Sequence, residues 1–297
     1  MRLNLAATMR RWPVASFFAL AYLFSWSWWL PIAAVGGVVR PDDPWPTHMP
    51  GLLGPLLAAV VVTGCTDGRP GLVRFARHLV RWRGGWRTAV FAVSPLAMLA
   101  GGVLVLGVSG TAGPRWQDLF IISGLPAAAL PMLAGLLLVN GFGEEGGWRG
   151  FAQERLQRRH GPVRAALITA LAWVGWHAPL FVILASFRGF KAALLPGFFL
   201  GMVAGGIVLA HVYNAAGGSV AAAACWHVAY NLASATAATE GTIAIVATTI
   251  VMIQAATVLA AAYRRSGHQL PSPLLGGRSL TESAESDMVL PSTRVRS

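Results

Sequence analysis

Apolar runs about as long as a bilayer-spanning helix recur along the whole chain, separated by short stretches that carry its arginines. A spanning helix needs about 20 mostly apolar residues. Eight segments meet or approach that requirement: 14–38, 51–64, 89–108, 119–142, 163–185, 192–212, 219–238 and 242–263. The second is short, and 45–50 can extend it. Between the second and third, 72–86 sets Arg74, Arg77, Arg81 and Arg83 among Leu72, Phe75, Leu79, Val80 and Trp82. That mixture reads either as an amphipathic helix on a membrane surface or as a basic loop. The pattern predicts an all-α polytopic membrane protein with about eight transmembrane helices around a buried polar cavity. The membrane domain is expected over 1–263. The remainder, 264–297, is polar and rich in Ser, Pro and Gly, and reads as a disordered cytoplasmic tail.

Composition agrees. Of 297 residues, 55% are hydrophobic and 11% charged, against about 25% charged in a typical soluble domain. The net charge of +12 comes from 23 basic residues, of which 22 are arginine. Nucleic acid is excluded as a partner because these arginines punctuate apolar spans instead of forming one basic face. Their distribution carries topology. With eight alternating spans, nineteen basic residues fall on one side and four (Arg40, Arg115, Arg188 and Lys191) on the other. The positive-inside rule then places both termini in the cytoplasm of a multi-pass plasma-membrane protein. Arg10 and Arg11 precede an apolar run long enough to stay in the bilayer, so it reads as a first span and not a cleaved signal. Cys65 and Cys225 sit in apolar stretches without metal-ligand spacing and read as inert thiols. There is no Walker loop, and no glycine fingerprint in a strand–helix context.

Against this background the ionisable groups inside apolar segments stand out, since such groups are costly in a bilayer and mark function. Glu144 and Glu145 directly follow an apolar run, and Arg149 comes four residues after the second glutamate. On a helix, Glu145 and Arg149 pair at i,i+4. Glu144 then points about 100° away and faces a cavity. His177 lies in the fifth segment, in Trp173-Val-Gly-Trp-His177, and His227 and Asn231 share one helix face in the seventh. His211, near the end of the sixth beside Tyr213 and Asn214, reads as an interfacial or capping residue.

Glu, His, His and Asn converging from separate helices allow three kinds of chemistry. A carboxylate can take a proton from water while a histidine assists the leaving amine. A second histidine and an amide can stabilise the oxyanion. The same residues, Glu144, His177 and His227, could hold zinc with one open position, although the chain lacks an HExxH helix. Chains of Glu and His also line ion and proton pathways in transporters.

Here the residues resemble a known family. Glu144-Glu145-Gly-Gly-Trp-Arg149-Gly-Phe is similar to the EExxxR signature of the CPBP group, the CAAX protease and bacteriocin-processing (Abi) family. Trp173-xxx-His177 resembles its FxxxH motif with Trp for Phe, which keeps an aromatic wall. His227-xxx-Asn231 resembles its HxxxN motif, and Gly54-Pro55-Leu56-Leu57-Ala58 a small early one. The similarity spans a core of about 50–260, with the motifs in 140–232. The resemblance implies an intramembrane endopeptidase in which Glu144 activates water with His177 assisting. His227 and Asn231 would form the oxyanion site, and Glu145 with Arg149 would hold it together. No catalytic metal is favoured, because Asn231 is a poor zinc ligand and a good oxyanion donor; a zinc-dependent version is the alternative. The substrate would be a peptide or membrane-protein segment in the lipid bilayer. The Arg-, Ala- and Gly-rich composition suggests a GC-rich bacterium, where CAAX substrates are not expected, so the physiological substrate is open. The competing reading is a non-proteolytic immunity, scaffold or transport protein that kept the polar site.

Overall fold

The computed structural model describes residues 5–41, 43 and 45–265. Among these, the chain is built of helices, and the one β-type contact is an isolated bridge between Val39 and Leu184. In chain order the main helices are α1 (Leu5–Arg11), α2 (Pro13–Ala34), α3 (Gly54–Val80), α4 (Trp86–Ala92), α5 (Pro95–Val108) and α6 (Ala129–Gly135). After α6 the chain continues through wide π-type turns at Leu136–Glu144 and Trp148–Gln153, joined by Glu145–Gly147, into α7 (Glu154–Trp176). Then come α8 (Leu195–Ala215), α9 (Val220–Ser234) and α10 (Thr242–Arg265).

Two of these helices are kinked inside a continuous helical run, and the sequence shows why. Gly68 (φ 62°, ψ −161°) and Gly161 (φ 71°, ψ 164°) occupy the left-handed φ region that favours glycine. Pro70 and Pro162 follow them, and proline suits the first turn of the resuming helix. Beyond Gly68, α3 turns Gly71 and Phe75 inward and leaves Val73, Arg74 and Arg77 exposed. The stretch expected as a loop or surface helix is therefore helical as far as Val80.

By length and apolar composition, five helical stretches could cross a membrane, or six if the bent pair α4 and α5 (45°) is one span. That measure does not reach the eight expected from the sequence, for two reasons. The stretch Ala129–Ile183 counts once although it holds two of the expected segments on either side of the Gly161 kink. And α9, at 15 residues, is shorter than an independent span requires. The final helix extends to Arg265; the rest of the expected tail, 266–297, lies outside the described residues.

Long-range hydrogen bonds define the two ends of the bundle. At one, Arg10 donates to the Cys65 carbonyl, Arg155 reaches Asp67, His78 meets Tyr213 and Ser219 donates to the Arg81 carbonyl. At the other, Val39 exchanges backbone hydrogen bonds with Ile183 and Ala185, and the Ala237 N–H donates to the Ile121 carbonyl. The arginine-rich stretches thus gather at one end. In the interior, α2 packs along α3, and α8 lies against α7 and α10. Two buried apolar clusters result. One is centred on Phe17, Trp148, Phe151 and Trp176, the other on Val208, Val212, Trp226 and Val251.

The π-type turns lie against Leu52–Leu56 and α9, and glycine makes the approach possible. A Cβ on Gly147 would fall 2.5 Å from the Pro55 carbonyl carbon, a backbone atom that cannot swing aside. By contrast, a Cβ on Gly107 in α5 meets nothing within 4 Å. Gly147→Ala is therefore expected to destabilise the protein by about 1–3 kcal/mol through overpacking. Gly107→Ala should be neutral or stabilising by up to about 1 kcal/mol through helix propensity. Thermal unfolding of the two variants in detergent checks the contrast, and equal effects would show that close packing at Pro55 is not limiting.

Candidate active site

The site is assembled on the π-type turns. Widening a helix to an i→i+5 pattern re-aims consecutive side chains, and such turns occur frequently at functional sites. Here Glu144 and Glu145 are both buried, at 2% and 0% exposure, yet take different partners. Glu145 turns to Arg149: the guanidinium NH1 lies 3.1 Å from each carboxylate oxygen. Its Oε1 also accepts from His227 Nδ1 at 2.8 Å. Arg149 itself is fully buried and spends NH2 on the Gly206 carbonyl of α8 at 3.3 Å. That contact is close because a Cβ on Gly206 would fall 2.6 Å from the Ala170 Cβ.

Glu144 makes no contact with Arg149 of this kind. Its Oε2 accepts from the Trp173 indole N–H at 2.7 Å, and its Oε1 from the Asn140 amide at 3.3 Å. Trp173 binds the constellation together. Its ring stands edge-on to both His177 (centroids 4.9 Å apart) and His227 (5.9 Å), with the Arg149 guanidinium 5.7 Å from its centroid. From the sequence, the tryptophan in the FxxxH position is an aromatic wall. The structure adds a donor that phenylalanine lacks, aimed at the Glu144 carboxylate. The signal was in the residue type: a buried indole N–H needs an acceptor.

The two histidines have fixed tautomers. His177 Nδ1 lies 2.7 Å from the Trp173 carbonyl and His227 Nδ1 faces a carboxylate. Both partners only accept, so each Nδ1 carries the proton and each Nε2 is left for chemistry. Asn231 is half-buried one turn beyond His227 on α9, and among the described residues its side chain makes no hydrogen bond to the others. Among the described residues, too, no group of three His, Cys, Asp or Glu side chains is arranged to hold a metal ion. Glu144 and the Nδ1 atoms of His177 and His227 are held by separate hydrogen bonds with Trp173 and Glu145.

His211 is not at a helix cap. It lies inside α8, half-buried and edge-on to Phe91 at 6.0 Å. Asn140 is the partner of Glu144 that the motif pattern does not single out.

Comparison with known proteins bears on the same residues. Residues 126–233 match the family described as Type II CAAX prenyl endopeptidase Rce1-like. That segment contains every residue of the constellation. The chain is also 30% identical over 134 residues to a protein named CAAX prenyl protease 2 from Methanococcus maripaludis, covering 44% of this chain. The aligned part spans about half (49%) of that relative's length. The three motifs stand in order on the helices that build one buried site, and both comparisons fall on that region, so this part of the chain is similar to CAAX-type prenyl endopeptidases.

Proposed function

We propose that the protein is an intramembrane endopeptidase that hydrolyses a peptide bond with water activated by Glu144. The observation that carries this reading is the division of labour between adjacent buried glutamates. Glu145 is neutralised by Arg149 and accepts from His227, whereas Glu144 is held by two neutral donors, Trp173 and Asn140. A carboxylate without a cationic partner at contact distance keeps its basicity, which is what a general base requires.

In the proposed reaction a water oxygen attacks the scissile carbonyl carbon while Glu144 takes the proton. His177, with its Nδ1–H directed at the Trp173 carbonyl, presents Nε2 to assist that transfer. The tetrahedral oxyanion is met by Asn231 and by His227. For His227 to donate from Nε2 the ring must carry both protons, and the Glu145 carboxylate on Nδ1 is placed to balance that charge. Collapse of the intermediate breaks the C–N bond. The proton held by Glu144 passes to the departing amine, leaving a free amine and a new carboxyl end. Glu145 and Arg149 are positioning residues, because they act through His227 and Gly206.

The substrate class is a peptide or membrane-protein segment presented within a lipid bilayer, with both termini of the enzyme on the cytoplasmic side of the plasma membrane. The metal-free reading rests on Asn231, a poor zinc ligand and a good oxyanion donor, and on the lack, among the described residues, of three His, Cys, Asp or Glu side chains arranged to hold a metal ion. Cleavage is accordingly expected to persist after extended chelation. Loss of cleavage with chelator and its return on adding zinc would overturn that part of the proposal.

The direct test maps peptide ends in membrane fractions from cells carrying the wild type or Glu144→Gln at matched protein levels. New chain ends present only with the wild type are expected, and they would identify substrates. Identical ends in both would favour the non-proteolytic reading instead. Trp173→Phe isolates the indole contact, because the ring and its packing stay. A hydrogen bond to a charged group contributes about 1.5–3 kcal/mol, so cleavage should slow by roughly 10- to 100-fold. The loss should appear in kcat, with KM and Tm nearly unchanged. A fall in Tm with kcat preserved would make Trp173 a packing residue only.

A further inference from the structure

A hydrolase buried among apolar helices needs water delivered to it, and one stripe of polar groups leads from the site to the arginine-rich end. On the segment after the glutamates, Arg149, Gln153 and Gln157 are spaced by four and share a face. Gly206, Ala210 and Asn214 repeat the same spacing on the facing side of α8. The two rows are joined at both ends: Arg149 NH2 donates to the Gly206 carbonyl, and Gln157 Nε2 to Asn214 Oδ1 at 3.0 Å. Between them Gln153, fully buried, donates from Nε2 to Gln157 Oε1 at 3.1 Å and to the Pro162 carbonyl at 3.3 Å.

The stripe is under-satisfied along its length. Arg149 Nε, Gln153 Oε1, Asn214 Nδ2 and His211 Nδ1 are all buried atoms without a hydrogen-bond partner among the described residues. Buried polar groups are normally paired, and where protein does not pair them water does. The stripe ends in a cleft of about 20 Å³ bordered by Pro162, Ala166, Ala210, His211 and Asn214, sufficient for one water molecule. A second cleft of about 150 Å³ adjoins it at His211 and reaches Arg265 at the end of α10. At its inner end, the Arg149 guanidinium lies by the Trp173 ring whose N–H meets Glu144.

We propose that this stripe, from the His211–Asn214 cleft through Gln157 and Gln153 to Arg149, is the path by which water enters the site from the arginine-rich end. The small side chains at 206 and 210 leave the polar rows facing one another, and the unpaired atoms give successive waters something to bond. Water enters by this path whatever route the peptide takes. Its purpose rests on the proposed hydrolysis; its existence does not.

The test is radiolytic hydroxyl labelling of the full-length protein in lipid nanodiscs, read by mass spectrometry, since radicals formed from bound water oxidise the nearest side chains. Ile207, which borders the small cleft, and Trp173 are both at least nine-tenths buried. They are expected to label at least tenfold faster than Phe17 and Met132, which are fully buried elsewhere. Equal rates would overturn the path. Gln157→Leu should then cut Trp173 labelling severalfold while His211 at the mouth stays unchanged, and Gln157→Asn should restore it. Trp173 labelling that ignores Gln157→Leu in a variant of unchanged Tm would show that water arrives by another way. Labelling reads water whether or not a peptide bond is cut, so failure here is distinguishable from failure of Glu144→Gln to change peptide ends.

Discussion

Arg149 is fully buried in a chain of low charge content, and the arrangement of the site follows from how that one cation is compensated. An unpaired guanidinium in an apolar interior is not tolerable, and removing one partner of a buried pair typically costs on the order of 3–5 kcal/mol. Glu145 supplies the opposite charge from one turn earlier, and the Gly206 carbonyl supplies a further acceptor from α8. Because Glu145 also accepts from His227, the same ion pair fixes α9 against the π-type turns. Three parts of the chain, about 145–149, 206 and 227, are thereby held together by one set of charges.

This compensation leaves Glu144 apart. Adjacent side chains on a helical segment diverge, so the residue next to the ion pair has to find other partners. It finds neutral ones, Trp173 and Asn140. The chemistry of the site depends on that asymmetry: one carboxylate is consumed by structure and the other stays available for proton transfer. Trp173 links the two halves, donating to Glu144 from its ring and accepting from His177 at its backbone carbonyl. A single residue therefore sets the orientation of both groups that the proposed reaction uses first.

Close approach is the second constraint. Glycines at 143, 146 and 147 bring the motif segment against Leu52–Leu56, so the early Gly54-Pro55-Leu56 motif serves as its packing floor. Gly206 does the same between α8 and α7. A bundle with bulkier residues at these places would keep its apolar surface but separate the helices that carry the charges. The cost would fall on the ion pair, whose energy depends steeply on distance.

Hydropathy and the spacing of charged residues determined much of this protein by themselves. Long apolar runs dictate helices, because a chain surrounded by lipid has to satisfy its backbone internally. The i,i+4 spacing of Glu145 and Arg149, and of His227 and Asn231, assigns shared faces, and the chain order of the motifs pointed to the family. Other features are contacts between segments distant in sequence, and no local pattern encodes them. They include the pairing of His227 with Glu145, 82 residues apart. They include the Trp173 N–H on Glu144 and the facing of Gln157 and Asn214 as well. Periodicity also could not mark where helices kink or widen, since the Gly161 kink and the π-type turns lie within an unbroken helical run. Local sequence fixes which face a residue occupies; only the packing of helix on helix decides what that face meets.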